Sequence, residues 1–455
     1  MIEFDNNRSL FHKSSRKNNP YRILLILALI IAGLYVWLGW RRGEIKEAFS
    51  PTPTATRMPG SFALEAETQF KAGNLTAAIT AYGQAAALDP SDGELLAELA
   101  RIQTYYSGMS NTDADAKQRL TDAMTNIDRA VEADPQNSTV WAIRAFVYNW
   151  NSNPTHAGDQ AGELMAEAER SATTALQLDS QNALALAYYA EILIDQLKYE
   201  QAFQNIRQAL ERDDTSMDVH RVNAYVLESS AEYEAAIEEY LRAVDITPNF
   251  TWLHIRIGTN YRTLGLRSTN DVREKQMYDN ALMYYEMAAN INKRIGVFDP
   301  VPYLAIARTY TQMGDSYAAA LNVRTALDYL PGNPDIYGQL GIVYFRGRNY
   351  ESAIPALKCA VYGCSAAESC EVRRCNEESD QPYEITGLPL TSGSVIYYYT
   401  YGSVLAGMHR PGLDYCERSV QVLAEVREQY ASDNEILAII EPSESICDSY
   451  GFSSP

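Results

Sequence analysis

Residues 303–331 read YLAIARTYTQMGDSYAAALNVRTALDYLP, and the spacing inside this stretch decides the fold. Ala319, Val323 and Ala326 fall at intervals of four and three, which places them on one face of an α-helix, and Pro331 follows where that helix must end. Upstream, Tyr303, Ala307 and Tyr310 repeat the same intervals on a second segment. The reading is a pair of short helices. Alanines at this spacing leave a narrow, smooth face that a neighbouring helix can approach closely, while the bulky residue between them fills the remaining gap.

Working outward from there, the pattern Ala-x3-(apolar)-x2-Ala-x4-(Pro or polar) recurs along the chain. With Pro in the last slot it occurs at Ala78/Tyr82/Ala85/Pro90, Ala123/Ile127/Ala130/Pro135, Ala236/Tyr240/Ala243/Pro248 and Ala319/Val323/Ala326/Pro331. With a polar residue there it occurs at Ala168/Ala172/Ala175/Ser180, Ala202/Ile206/Ala209/Asp214, Ala281/Tyr285/Ala288/Lys293 and Ala353/Leu357/Ala360/Ser365. The preceding helix of each unit carries a large residue, a small one four later and often an aromatic three beyond, as at Trp141/Ala145/Tyr148, His254/Gly258/Tyr261 and Tyr337/Leu340/Gly341/Tyr344.

Together these residues resemble the tetratricopeptide repeat pattern, W-x2-L-G-x2-Y followed by A-x3-F-x2-A-x4-P, in eight copies over residues 59–365. The resemblance implies an all-α fold, an α-α superhelix (TPR solenoid) preceded here by one transmembrane helix. The chain is most similar in kind to bacterial membrane-anchored proteins of this family. Only Trp141 keeps the Trp of the first slot. His220 and His254 replace it in consecutive units and read as packing residues.

The last slots of successive copies lie 45, 45, 34, 34, 45, 38 and 34 residues apart, so three units carry eleven extra residues each, at about 107–122, 150–167 and 264–280. Eleven residues is close to three helical turns, so an insert can lengthen the second helix without changing the face it presents. After residue 365 a cysteine-bearing insertion is expected over 366–393. A ninth hairpin and a capping helix should then fill 394–455, with Tyr398, Tyr401, Gly402 and Leu405 in the matching slots and the cap covering the open apolar end.

Formal net charge is -20, yet residues 1–42 hold seven Lys/Arg against two acids, which leaves the remainder near -25. Nucleic acid is not an expected partner for such a surface. From Ile23 to Trp40 runs ILLILALIIAGLYVWLGW, eighteen residues without a charge and ~27 Å long as a helix, against a hydrocarbon core of about 30 Å. Trp37, Trp40 and Arg41-Arg42 sit at one edge and Tyr21-Arg22 at the other, as in an interfacial belt. No small-x-small cleavage site follows closely, so 23–40 reads as an uncleaved anchor in the bilayer rather than a signal peptide. Arg8, Lys13, Arg16, Lys17 and Arg22 precede the span, while Arg41, Arg42 and Lys46 follow it, a small excess that favours a short cytoplasmic tail over 1–22. Residues 41–60 form a Pro/Thr-rich linker whose SPTPTATRMPG stretch favours an extended spacer.

All six cysteines, Cys359, Cys364, Cys370, Cys375, Cys416 and Cys447, lie in the last hundred residues, an even and clustered set that suits an oxidising compartment. That places the repeat domain outside the cytoplasmic membrane. Cys416 and Cys447 are nearly equidistant from a turn near Ser432 and are expected to pair. The other four leave three pairings open, and structural zinc sites of this kind belong to reducing compartments, so no metal is expected.

No nucleophile elbow, phosphate loop, metal-spaced His pair or dinucleotide turn is present, so neither an enzyme nor a cofactor is expected. The resemblance supplies the candidate site instead, because in this family the groove-facing residues of each first helix contact a peptide. The matching positions are Arg101 and Tyr105, Phe146 and Trp150, Glu191 and Asp195, Tyr225 and Glu228, Arg262, Arg308, and Phe345 with Arg346. The expected function is a non-enzymatic scaffold or docking protein of the cell envelope, with one or more proteins as partners. The alternatives are a stalked receptor for glycan or peptide and a structural subunit of a membrane enzyme complex.

Overall fold

The computed structural model describes residues 19–42, 57–110, 113–376 and 381–452. The basic residues Arg8 to Lys17, Lys46, most of the Pro/Thr linker, the Trp40 side chain and the Glu377-Glu378 pair lie outside the described residues. The chain divides into two units, Met1–Arg57 and Met58–Pro455.

In the first unit, α1 (Pro20–Arg41) is one helix with apolar side chains exposed all round, including Leu24, Leu29, Ile31 and Tyr35. A helix apolar on every face has no stripe to bury against a soluble core, and this one is long and apolar enough to cross a membrane. The Arg41 guanidinium lies 5.2 Å from the Trp37 ring.

The second unit is a stack of antiparallel helix pairs. Hairpins one to four are α2 (Pro59–Lys71) with α3 (Leu75–Leu88), α4 (Gly93–Ser107) with α5 (Asp113–Ala133), α6 (Ser138–Asn151) with α8 (Ala161–Leu178), and α9 (Ala183–Asp195) with α10 (Tyr199–Arg212). A single turn, α7 (Pro154–Ala157), interrupts the third. Hairpins five to eight are α11 (Met217–Ser229) with α12 (Tyr233–Ile246), α13 (Thr251–Arg267) with α14 (Asp271–Ile295), α15 (Val301–Gln312) with α16 (Ser316–Tyr329), and α17 (Pro334–Arg346) with α18 (Tyr350–Val361). A short α19 (Ala366–Arg373) precedes the ninth pair, α20 (Val395–Met408) with α21 (Tyr415–Gln429), and α22 (Asn434–Ser449) closes the stack.

The sequence pattern explains the packing. Both Ala slots of all eight copies are fully buried, from Ala78 and Ala85 to Ala353 and Ala360. Gly341 shows why the small slot is small, since a Cβ there would come within 2.5 Å of Leu357, the bulky residue of its own partner helix. The first slot has a further logic. Trp141 Nε1 donates to the Pro135 carbonyl at 2.9 Å and Tyr337 Oη to that of Pro331 at 3.0 Å, while His220 Nε2 and His254 Nε2 lie 2.7 and 2.8 Å from the carbonyls of Asp214 and Pro248. In each case the acceptor is the last-slot residue of the preceding copy, six positions back. A ring nitrogen or hydroxyl of the right reach satisfies a carbonyl freed at the end of the preceding helix, which is why His can stand where the pattern has Trp.

The three longer units have long second helices, with 21 residues in α5, 18 in α8 and 25 in α14, against 14 in α10 and α12. The first helix of the array starts at Pro59, two residues earlier than the linker reading allowed, because Pro fixes a helical φ and its missing N–H costs nothing at a first position. The cysteine-bearing insertion is not featureless. Ser365 and Glu368 form a reciprocal cap on α19, and Cys364 exchanges both backbone hydrogen bonds with Ile385.

Buried side chains form one large cluster from Ala66 to Ile257 and another from Ala307 to Ile440, with a four-residue cluster of Ala281, Leu282, Tyr285 and Ile306 between them. The boundary falls at the Gly296–Pro300 connection. There Asp299, 3% exposed, accepts from Val301 N at 2.9 Å and from Asn292 Nδ2 at 3.0 Å.

Candidate functional site

The inner faces of the first helices meet across the superhelix in its first turn. Phe70 on α2 lies 5.6 Å from Phe250 at the start of α13, Tyr105 on α4 lies 5.2 Å from Phe250, and Asn249 Nδ2 donates to the Lys71 carbonyl at 3.2 Å. Hairpins one and two therefore touch hairpins five and six. Between them Tyr105, Phe146 and Tyr188 stack in a file, at 5.0 and 4.7 Å between centroids.

Charges are threaded through these rings. Arg221, 1% exposed, makes two bonds to Glu191 at 3.0 and 2.6 Å, and its guanidinium lies 5.5 and 5.3 Å from the rings of Tyr105 and Phe146. Arg101 reaches Asp218 at 3.0 Å across 117 residues of sequence and also holds Glu98 at 2.7 Å. Asp218 further accepts from Tyr188 at 2.8 Å and from Tyr105. Isolated charges in such a setting would be strongly penalised; here each has an opposite charge and hydrogen bonds that offset the penalty. Burial lowers the Arg221 value, but the charge and hydrogen bonds of Glu191, together with Tyr105 and Asp218, outweigh it and hold the guanidinium well above its ordinary range.

Next to this network lies a cavity of ≈ 660 Å³ between the end of α6 and helices α9, α11 and α13. Trp150, Trp252 and Tyr225 form its walls, Arg221 and Glu191 its floor, and Asp195 part of its mouth. Asp195 accepts from Asn149 Nδ2 at 2.7 Å and from Tyr225 Oη at 2.6 Å, both neutral donors. Surrounding protein, and then the Glu191 charge, raise its carboxyl above the ordinary value against those two hydrogen bonds.

The residues chosen from the repeat pattern thus fall into two groups. Arg101, Tyr105, Phe146, Glu191 and Asp218-facing neighbours are enclosed: Tyr105 and Phe146 are fully buried and Glu191 is 4% exposed. The expectation that they line an open groove does not hold for these positions, because the first turn closes and rings from opposite hairpins fill it. Trp150, Asp195 and Tyr225 border the cavity, and Glu228 pairs with Arg256 at 2.6 Å beside it. The second group stays open: Arg308 and Arg346 are exposed, and Arg262 and Phe345 are half-buried. Arg308 reaches Gln339 of the next hairpin at 3.4 Å.

Arg221, Asn149, Trp252 and Arg256 border the cavity but were missed. Arg221 lies one helical turn ahead of the chosen Tyr225, so extending the groove pattern by four residues would have found it. Trp252 gives no such signal, because it opens its helix.

Among the cysteines, the structure pairs Cys416 with Cys447 (Cα–Cα 5.3 Å), Cys359 with Cys364 (4.7 Å) and Cys370 with Cys375 (5.0 Å). Each separation lies in the range a disulfide requires.

The fold is therefore an α-solenoid of stacked hairpins, self-sealed in its first turn and uncovered in its later ones. The tetratricopeptide repeat model matches residues 190–249 and 304–367, so the chain contains tetratricopeptide repeats. Over 116 residues it is 28% identical to the photosystem I assembly protein Ycf3 of two Synechococcus strains, one of them S. elongatus. That match takes in 24% of this chain and 66% of the relative, just under two thirds of its length. Among solved structures, the human IFIT1 dimer with PPP-AAAA superposes with a TM-score of 0.51 at 16% identity, covering 86% of this chain and 91% of that one, a likeness of fold alone. Repeat proteins of this family are generally non-catalytic scaffolds that bind other proteins.

Proposed function

We propose that the chain is a single-pass envelope protein that crosses the cytoplasmic membrane through residues 23–40 and presents its repeat domain outside the cytoplasm as a non-enzymatic docking scaffold. The observation that carries this reading is the uncovered first-helix face of hairpins seven and eight, where Arg308 and Arg346 are exposed beside Phe345. Arg and aromatic side chains are over-represented among residues that anchor protein interfaces. The apolar exterior of α1 and the close approach of all three cysteine pairs support the location. A second reading, assembly of a membrane protein complex, is favoured by the similarity to a protein whose name states that role.

Crosslinking and co-purification of the full chain from its native membrane tests the scaffold. A protein partner should be captured, and the triple variant Arg308→Glu, Phe345→Ala, Arg346→Glu should lose it. Undiminished capture would remove this face as the site. Mass spectrometry without reductant tests the location, since free thiols at all six cysteines would contradict an extracytoplasmic domain.

A further inference from the structure

The cavity between α6, α9, α11 and α13 has an unbalanced charge. Of the acids around it, Glu191 is neutralised by Arg221 and Glu228 by Arg256, and Glu228 also accepts from Tyr240 Oη at 3.0 Å. Asp195 is different. Among the described residues no Lys, Arg or His lies within 4.0 Å of it, and its two oxygens each hold one neutral donor. A carboxylate accepts about four hydrogen bonds, so lone pairs remain on both oxygens.

A second observation is independent of the first. Asn149, 5% exposed and lining the cavity, uses its Nδ2 on Asp195, and its Oδ1 has no partner. A buried acceptor left without a donor is destabilising, and a ligand donor would relieve it. Asn149 and Asp195 are thus short of donors and of a paired positive charge on one side of the cavity, while Arg221, Arg256 and His156 line the rest of it. The walls add a third element, because Trp150 and Tyr225 line the cavity with aromatic rings of a kind that attracts a cation, while the neighbouring Trp252 ring already carries the Arg256 guanidinium 5.5 Å from its centroid.

We propose that this cavity is a receptor for one primary ammonium group, the side chain of a lysine on the docked protein, held between the Asp195 carboxylate and the aromatic walls. The inference rests on the scaffold reading and specifies what the partner must carry. The long-range field agrees with it, since the region after residue 42 carries about -25 and would draw a basic partner toward the mouth. One feature points the other way: Arg221 Nε also lacks a partner. Its guanidinium fork, however, is already occupied by Glu191, so inorganic phosphate serves as the contrary probe.

The test uses the full chain in detergent and follows Trp fluorescence while Nα-acetyl-lysine N-methylamide is titrated in. Saturable binding is expected, with the norleucine analogue weaker by about tenfold or more, as the loss of a charge-assisted hydrogen bond requires. Asp195→Asn should weaken the lysine probe to the same degree while leaving the melting temperature in place. Equal binding of norleucine, tighter binding of phosphate, or no saturable signal overturns the proposal. So does an Asp195→Asn protein of unchanged stability and affinity. If that variant fails to fold, the comparison of lysine with norleucine on the unaltered chain decides alone. Failure here with a partner still captured from the membrane removes the lysine receptor and leaves the scaffold; lysine binding without any captured protein does the reverse.

Discussion

Hairpins one to six and hairpins seven to nine are built from the same repeat, yet they use its inner face in opposite ways. In the first group that face is consumed. Arg101, Asp218, Glu191 and Arg221 bond one another across the turn, and Phe70, Tyr105, Phe146 and Phe250 fill the axis. In the second group Arg308 and Arg346 point to solvent, and the C-terminal end of the stack is held by cysteine pairs and a capping helix instead. A repeat motif therefore determines how neighbours stack but leaves open whether the concave surface becomes core or interface.

This contrast can be attacked first at Arg221. Replacement by Ala leaves Glu191 buried without its counter-charge, and removal of one member of a buried pair costs about 3–5 kcal/mol. Urea denaturation should show the loss in a transition that limited proteolysis assigns to residues 59–295. Simultaneous loss of residues 301–449 would show that the two regions are one cooperative unit. In the other region, reduction of the Cys416–Cys447 link should lower stability by roughly 2–4 kcal/mol, as expected for a closed loop of this length. Hydrogen exchange should accelerate in α20–α22 and remain unchanged in α2–α6.

The boundary between the regions offers a pH test. Burial raises the Asp299 carboxyl from 3.8 to about 6, opposed by its hydrogen bonds to Val301 and Asn292. The folded chain then binds more protons at this site than the unfolded chain does between those values. Stability from this group accordingly falls as pH rises from about 4 to 6 and stays reduced above, by on the order of 2–3 kcal/mol. Asp299→Asn removes the charge, and the unpartnered Asn292 Oδ1 is available to accept from the new amide. The variant should be more stable at pH 7.5 and equal to the parent near pH 4, as read by thermal melts across that range. No pH dependence in the difference would mean that the Asp299 carboxyl is solvated. The smallest effect concerns Leu197, Ala231 and Arg348, whose φ values of 60, 62 and 57° are left-handed. Glycine at each turn should stabilise by about 0.5–1 kcal/mol, measured as a shift in denaturation midpoint, with the gain at Leu197 and Ala231 confined to the first region and that at Arg348 to the second.

The fold was legible because its cause is local. The Ala slots are three to four residues apart, and one helix pair contains all the information needed to read another. The choice of inward-facing positions was legible for the same reason, since Tyr105, Phe146 and Glu191 do face the axis. Their enclosure was not legible. It depends on Arg101 meeting Asp218 and Phe70 meeting Phe250, partners more than a hundred residues apart that are brought together by small rotations summed over five hairpins. The long second helices of α5 and α8 enter that sum, and no spacing in the sequence states how much each contributes. The cavity was missed on the same account, since helices from hairpins two to six supply its lining.

The bond between Arg101 and Asp218 also has a mechanical meaning. Solenoids ordinarily behave as springs, lengthening when neighbouring units tilt. Here the initial coil is riveted to itself, with Asn249 gripping the Lys71 carbonyl as a second fastening. An axial pull would be taken up by hairpins seven to nine, which would stretch while the sealed coil kept its pitch.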